Sequence, residues 1–165
     1  MIDNVPIVTD NNELMSDPLA FFITWPTYGT WLPGDQRGWI KLNSGWELPQ
    51  PKLELECSSR MNEVACKLSK SETRIVERQA VETCDHRGWI LHAVACLSNH
   101  AHFVVAATDT DPAKIRADLK AWCTRRLKEN SKTERVNWWA DRGSIRWVWN
   151  QNSLEKVIEY TNEAQ

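Results

Sequence analysis

Two strand-like runs with only a short turn between them constrain this chain more than any other feature. The runs extend from Trp89 to Leu97 and from His100 to Ala107, and Leu97-Ser98-Asn99 joins them. Two β-rich runs joined so closely predict a hairpin, in which the strands are antiparallel. Because helices precede and follow these strands, the chain is predicted to have an α+β fold with its helices on an antiparallel sheet.

The other elements are predicted from apolar spacing and from capping residues. Strands are expected from Ala20 to Trp25, over residues 38–42 and from Ser144 to Trp149, whereas residues 43–57, with Pro49 and Pro51, are predicted to be irregular. A first helix is expected over residues 71–85, capped by Ser71. A second should run from Asp111-Pro112 to about Glu129 and bury Ile115, Leu119, Trp122 and Leu127. A third is expected over residues 153–164, capped by Asn150 or Asn152 and packed through Leu154, Val157, Ile158 and Thr161.

The length and composition fit one compact domain. The 165 residues are 42% hydrophobic and 25% charged, and they are predicted to form a flexible tail at residues 1–18 and a single domain at residues 19–165. No apolar run is long enough for a membrane span, and the acidic N-terminal stretch lacks the pattern of a signal peptide. The five cysteines are scattered, which favours free thiols and a cytoplasmic location.

Positive charge is concentrated in one part of the chain. The formal net charge is −2, but residues 112–149 carry ten Lys and Arg residues against four Asp and Glu residues. A local basic surface is what phosphate contacts need, although the solvated face of an ordinary helix accounts for the same residues. Charge alone leaves both interpretations open.

The most specific local pattern is His100-Ala101-His102, which opens the second hairpin strand. Side chains at positions i and i+2 of a strand point to one face, so the two imidazoles are expected to converge there. Ala101, Phe103 and Val105 then point into the core on the other face. Two converging imidazoles are half of a metal site, although histidines without a metal are the alternative for so short a pattern.

Tyrosine is scarce in this chain, which has only Tyr28 and Tyr160. Tyr28 lies in a turn rich in Gly and Pro. Tyr160 lies on the predicted last helix, where Glu159, Asn162, Glu163 and Gln165 surround it with oxygen donors. Such neighbours are unusual for a core tyrosine, although a tyrosine that closes the helix against the sheet is the simpler explanation.

Four segments resemble one protein family. LSNHAHFVV is similar to the histidine segment of HUH endonucleases, in which U is a hydrophobic residue. The other three segments resemble parts of the single-tyrosine transposases of the REP-associated (RAYT-like) group. The opening strand and loop of that group resemble ITWPTYGTWLPGDQRGWI, and the helix after its histidine strand resembles LKAWCTRRL. Its closing strand and tyrosine helix resemble WWADRGSIRWVWNQNSLEKVIEYTNEAQ. The resemblance extends over residues 20–165. It implies a ferredoxin-like antiparallel sheet with helices packed on its faces.

The resemblance also implies roles for the candidate site residues. His100 and His102 would bind a divalent ion, Mg²⁺ or Mn²⁺, and Tyr160 would be the nucleophile. The family's third ligand is commonly a Gln or Asn four residues after the tyrosine, where this chain has Ala164. Gln165 is therefore predicted as the third ligand, with the Glu163 carboxylate as its rival.

The implied reaction is cleavage of single-stranded DNA by the tyrosine, which yields a 5′-phosphotyrosine and a free 3′-OH. A phenol has an ordinary pKa near 10 and needs assistance, which a metal ion gives by stabilising charge on the phosphate. Because the ester retains the bond energy, a second 3′-OH can rejoin the strands without ATP. The expected partners are single-stranded or hairpin DNA and a second copy of the chain in a homodimer, with no membrane; the DNA-binding residues are expected to be Lys120, Arg125, Arg126 and Arg142.

Two other functions compete with this interpretation. A histidine-triad nucleotide hydrolase would place a third histidine two residues after His102, and Val104 at that position excludes it. A domesticated descendant that binds folded single-stranded DNA without cutting it is favoured by Ala164 and by the negative net charge. Formation of a covalent DNA adduct distinguishes this second alternative from an active transposase.

Overall fold

A four-stranded antiparallel sheet and four helices make up most of residues 17–165, the part of the chain that the computed structural model describes. The predicted α+β fold is confirmed. The tail predicted at residues 1–18 lies outside the described residues except for Asp17 and Pro18. In chain order the elements are β1 (Ala20–Pro26), β2 (Trp39–Lys41), β3 (Gly45–Glu47), α1 (Pro51–Ser59), α2 (Lys70–Arg87), β4 (Ile90–Cys96), β5 (His100–Ala106), α3 (Pro112–Asn130), β6 (Ser144–Val148) and α4 (Gln151–Glu163).

The large sheet has the strand order β4-β5-β1-β6, and every neighbouring pair in it is antiparallel. The predicted hairpin is β4–β5. With α2 between β1 and β4, and α3 between β5 and β6, the chain follows the ferredoxin-like βαββαβ order. The register of the inner strands places Thr24 opposite His102 and Ile23 opposite Phe103.

Alternation along the strands divides the core between the two faces of the sheet. One face, which includes Ile23, Trp25 and Phe103, packs against α2 and α3. The other face, which includes Phe22 and Val104, packs against α4 through Leu154. Ala101, Phe103 and Val105 all belong to the first face, as the strand pattern predicts.

One of the four residues of α3 that the sequence predicts to be buried is exposed. Trp122 is 38% exposed, so the prediction that it is buried is wrong, and Cys123 is buried instead. The four apolar core positions of the helix are spaced by four residues, which keeps them on one side of a helix with 3.6 residues per turn. They are Ile115, Leu119, Cys123 and Leu127.

The prediction that residues 43–57 are irregular is wrong. Strand β3 pairs with β2 through a turn in which Asn43 and Gly45 have positive φ angles of 64° and 88°. Helix α1 begins with Pro51 in its first turn, where proline is well tolerated because the first amides of a helix have no partner within it. No α1 residue is buried, so the segment has no apolar periodicity from which a helix could be predicted.

Helix α2 begins earlier than the sequence analysis places it. Ser69, not Ser71, is the cap: its Oγ accepts a hydrogen bond from Glu72 N at 3.2 Å, and Glu72 Oε2 accepts one from Ser69 N at 2.8 Å. This reciprocal arrangement is a capping box. The predicted cap, Ser71, lies within the first turn.

All five cysteines are free, and four of them are buried; Cys57 is the partly exposed one. Burial raises the pKa of the Cys84 thiol to about 12. Within residues 17–165, every helix is too short or too polar to cross a membrane.

The capping box gives a test of where α2 begins. Ser69→Ala should lower the free energy of unfolding by about 1 kcal/mol, because it removes the acceptor for the Glu72 amide. Chemical denaturation monitored by circular dichroism measures this change. Ser71→Ala is the matched control and should change the stability much less; equal losses for the two variants would contradict the assignment of Ser69 as the cap.

Candidate active site

The two histidines of β5 converge on the face of the sheet that carries α4. The centroids of their rings are 4.6 Å apart and the rings are inclined at 81°. Ala101 between them is fully buried on the opposite face. His102 itself is only 5% exposed. The convergence that the i, i+2 spacing predicts is therefore present.

Each imidazole is held through its Nδ1 atom. Asn99 Oδ1 lies 2.6 Å from His100 Nδ1, and because an amide oxygen only accepts hydrogen bonds, His100 Nδ1 is the donor. Thr24 Oγ1 lies 2.9 Å from Nδ1 of His102, whose Nε2 is buried without a hydrogen-bond partner among the described residues. His100 therefore has its lone pair on Nε2, and the Nε2 atom of His102 is also left without a bond by a contact through Nδ1. Metal-binding histidines are commonly oriented in this way.

Burial keeps both imidazoles neutral at physiological pH. It lowers the pKa of His102 to about 4, with repulsion from His100 as the smaller cause. The pKa of His100 is also lowered, first by burial and then by the positive charge of Arg37. A neutral imidazole is the form that can donate a lone pair to a metal ion.

Tyr160 reaches the histidine pair from the last turns of α4. Its ring centroid lies 5.5 Å from that of His102, with the rings at 73°. Phe22 of β1 contacts both residues, since it stacks on His102 at 5.6 Å and meets the edge of Tyr160 at 6.1 Å. Tyr160 is 55% exposed, so its ring is accessible from solvent as well as from the site.

The position of Tyr160 follows from how α4 begins and packs. Asn150, one of the two predicted caps, accepts a hydrogen bond from Ser153 N at 2.9 Å. Leu154 and Thr161 are the buried residues of the helix, and the predicted Val157 and Ile158 are partly buried against the same core. The helix packs against β4 and β5, and so Tyr160 lies above the histidines.

The other tyrosine does not belong to this site. The Tyr28 ring packs against the core on the α2 and α3 side of the sheet. Its hydroxyl accepts a hydrogen bond from Asn62 N at 3.1 Å. These contacts give Tyr28 a structural role.

The structure places the two candidate third ligands differently. The Gln165 side chain donates a hydrogen bond from Nε2 to Val94 O at 2.7 Å, which leaves its amide oxygen as a potential ligand atom. Glu163 is exposed, and no cluster of three or more His, Cys, Asp and Glu residues in the described chain could hold a metal ion. Glu163 therefore does not complete such a group with the histidines, and metal binding by Gln165 stays a prediction.

Most of the predicted DNA-binding residues make contacts within the protein. Lys120 donates to the carbonyls of Ala140 and Arg142 at 2.6 and 2.7 Å, and burial lowers its pKa to about 8. Arg125 pairs with Glu129 at 3.3 Å. Helix α3, which carries both residues, packs on the sheet face opposite the histidines.

The two remaining arginines of that prediction differ from each other. Arg126, also on α3, donates to Gln79 Oε1 at 2.8 Å and pairs with Glu82 at 3.0 Å. Arg142 is exposed and lies just before β6. The structure therefore brings none of the three α3 residues to the histidine pair.

Several residues that surround the histidines were not predicted from the sequence. Thr24 and Asn99 orient the imidazoles, and Arg37 acts on the charge of His100. Arg37 is itself fixed by bonds from Nε and NH2 to the Asp35 carboxylate at 2.8 and 2.7 Å and to Thr30 O at 2.8 Å. Strand alternation predicts that Thr24 and Trp25 point to opposite faces of the sheet. Only the register of β1 against β5 shows that His102 is the partner of Thr24.

Transposases are among the solved structures that share this fold. A "putative transposase from Deinococcus radiodurans R1" has a TM-score of 0.54 and 11% identity over 91% of this chain and 93% of its own. A REP-associated tyrosine transposase bound to a REP hairpin has a TM-score of 0.53 and 12% identity over 88% of this chain and 66% of its own. No protein-family model and no curated protein matches the sequence. The ferredoxin-like fold implied by the sequence resemblance is confirmed, and these solved structures share it.

The low pKa of His102 predicts a pH dependence of stability. As the pH falls from the ordinary value of 6.5 to about 4, the unfolded chain takes up a proton that the folded chain does not. Over this window the free energy of unfolding should fall by about 3 kcal/mol more in the wild type than in His102→Gln. Urea titrations of both proteins at several pH values, with a chelator present, measure the difference. Parallel pH profiles for the two proteins would contradict the buried, neutral state of His102.

Proposed function

We propose that this protein is a tyrosine transposase that cleaves and rejoins single-stranded DNA through a phosphotyrosine link. The observation that carries the proposal is the contact between Tyr160 and His102, with His100 beside them on one sheet face. Residues of the hairpin and of the last helix, distant in the sequence, thus combine a nucleophile with two metal-ligand groups. The fold shared with transposases supports the same function.

The donor atoms at the histidine pair fit a divalent cation. The buried Nε2 of His102 lacks a partner in the described chain, and His100 is fixed with its proton on Nδ1. His100 and His102 would hold Mg²⁺ or Mn²⁺, of which Mn²⁺ is the better match for imidazole, with the Gln165 oxygen as the proposed third ligand. The bound ion supplies Lewis acidity, which stabilises negative charge on a scissile phosphate.

The residues of the chain carry out the covalent step. The Tyr160 oxygen forms a bond to phosphorus while the bond from phosphorus to the 3′ oxygen breaks. The phenol loses a proton and the departing 3′ oxygen gains one, so the products are a 5′-phosphotyrosine and a free 3′-OH. Thr24 and Asn99 hold the imidazoles in place throughout, and attack by another 3′-OH reverses the step and joins two strands.

The proposed substrate is single-stranded DNA next to a hairpin. The solved transposase with this fold is bound to a REP hairpin, and the two-histidine site requires an exposed phosphodiester that Tyr160 can reach. Assembly of two chains into a homodimer, which the sequence resemblance implies, is part of the same proposal.

A second candidate function is DNA binding without cleavage. The engagement of Gln165 with Val94 O favours it, because this contact occupies one end of the proposed third ligand. The two functions differ in a single observable, which is whether a covalent DNA adduct forms.

Tyr160→Phe tests the nucleophile. The wild type, incubated with Mn²⁺ and a hairpin-containing single strand, should form an adduct that survives denaturing gel electrophoresis. The variant should form none, because it lacks the attacking oxygen, and it should still fold and bind DNA.

Tyr28→Phe is the matched control, since it removes the same atom from the other tyrosine. Its adduct yield should equal that of the wild type. An adduct in Tyr160→Phe would refute the assignment, whereas its absence in the wild type under all metal conditions would leave binding without cleavage as the function.

The metal site has a readout that does not depend on cleavage. Mn²⁺ at a concentration 100-fold above its Kd should raise the stability of the wild type by about 2.7 kcal/mol, because it binds the folded state. His102→Ala and His100→Ala should lose most of this increase, whereas His92→Ala, an exposed histidine on β4, should keep it. Thermal denaturation with and without Mn²⁺ measures the effect; equal stabilisation of all four proteins would show that the pair does not bind the metal.

A further inference from the structure

Helix α4 covers only part of the sheet face that carries the histidines. Its contacts with the sheet are chiefly with β4 and β5. On β1 and β6 this face is covered at one end, where Ala20, Phe22 and Val148 are buried in the same cluster as Leu154 of α4. Toward the other end of β6, an edge strand of the described sheet, the face is open to solvent at Ser144 and Arg146.

The register of β6 identifies which of its side chains lie on the histidine face. Ser144 is opposite Thr24 and Arg146 is opposite Phe22. Residues directly opposite each other in antiparallel strands project from the same face of a sheet. Ser144 and Arg146 therefore lie on the histidine face, and both are exposed. With Thr24, which is half-buried, they form a polar strip on the open part of this face.

Arg146 is well placed to bind an anion. Its cross-strand neighbour, Phe22, contacts both His102 and Tyr160, so the arginine is one strand away from the proposed nucleophile. Within residues 17–165, no carboxylate forms an ion pair with Arg146. Arg125 and Arg126, by contrast, are paired with glutamates on the other face.

We propose that the polar strip of Thr24, Ser144 and Arg146 holds single-stranded DNA beside Tyr160, with the Arg146 guanidinium bound to a backbone phosphate. This assignment rests on the proposed function of the same site. A planar guanidinium matches the geometry of a phosphate, and hydroxyl groups commonly contact the DNA backbone. A second copy of the chain paired along β6 is a poorer fit, because a charged residue on an edge strand opposes strand pairing.

Charge removal at Arg146 is the first test. In fluorescence anisotropy titrations at low salt, Arg146→Gln should weaken binding of a hairpin-containing single strand about tenfold, and it should reduce the slope of log K against log salt by about 0.7. Arg146→Lys should restore part of the affinity. Arg78→Gln, the same change at an exposed position of α2, should bind like the wild type.

A charge introduced into the strip is the second test. Ser144→Glu should weaken DNA binding at least as much as Arg146→Gln, because it places a carboxylate between Thr24 and the phosphate path. Ser71→Glu makes the same change on α2 and serves as its control. Thermal denaturation of each variant establishes that it is folded, so that a loss of affinity is not a loss of structure.

The outcomes separate the strip from the catalytic proposal. Weaker binding by Arg146→Gln and Ser144→Glu supports the strip whether or not the wild type forms an adduct. Wild-type affinity in both variants overturns the strip even if Tyr160 forms the adduct. A change in oligomeric mass on light scattering, with DNA affinity unaltered, overturns it in favour of a second chain at β6, and failure of the wild type to bind single-stranded DNA overturns both proposals.

Discussion

The register of β1 against β5 is the constraint on which the rest of the site depends. Because Thr24 lies opposite His102, its hydroxyl is within hydrogen-bond distance of Nδ1, and Phe22, two residues earlier on the same face, stacks on the same ring. A slip of one residue would reverse the face of every side chain on the strand. The imidazoles would then enter the α2 and α3 core, while Phe103 would be exposed to the site. The core and the candidate site therefore stabilise the same pairing.

That pairing also supports a locally unfavourable arrangement. A buried Nε2 without a hydrogen-bond partner among residues 17–165 lowers the stability of the folded chain. Because burial lowers the pKa of His102 to about 4, stability also falls as the pH drops from 6.5 toward that value. The opposite face of the same strands compensates with apolar contacts, among them the stack of Trp25 on Phe103 at 4.3 Å. Next to this stack, the backbone of Gly143 approaches β1 so closely that a Cβ at Gly143 would lie 2.3 Å from Thr24 O. The site thus lies on strands whose opposite face is buried in the core.

The sequence was sufficient where periodicity and burial coincide. The β4–β5 hairpin, the i, i+2 histidines and the apolar side of α4 were all predicted, because each has one face in the core. Helix α1 was missed since it buries nothing, and Ser71 was mistaken for a cap because two serines compete within three residues of the capping glutamate. The contact of Thr24 with His102 and the role proposed for Arg146 depend on strand register, which pairs residues distant along the chain and leaves no local pattern. The basic residues of α3 were expected to bind DNA, but their spacing does not indicate which sheet face the helix covers.

The two parts of the candidate site, the histidine pair on β5 and Tyr160 on α4, differ in how easily they can be displaced. The histidines belong to an inner strand bonded on both sides, and their displacement requires the sheet itself to open. Tyr160 belongs to the last helix, which buries two of its thirteen residues, Leu154 and Thr161, whereas β5 buries five of its seven. The free energy of local opening increases with the amount of buried contact. Helix α4 should therefore open more easily than the sheet. A DNA strand joined to Tyr160 would consequently be attached to the more easily displaced part of the protein, while the two imidazoles keep their positions on the sheet.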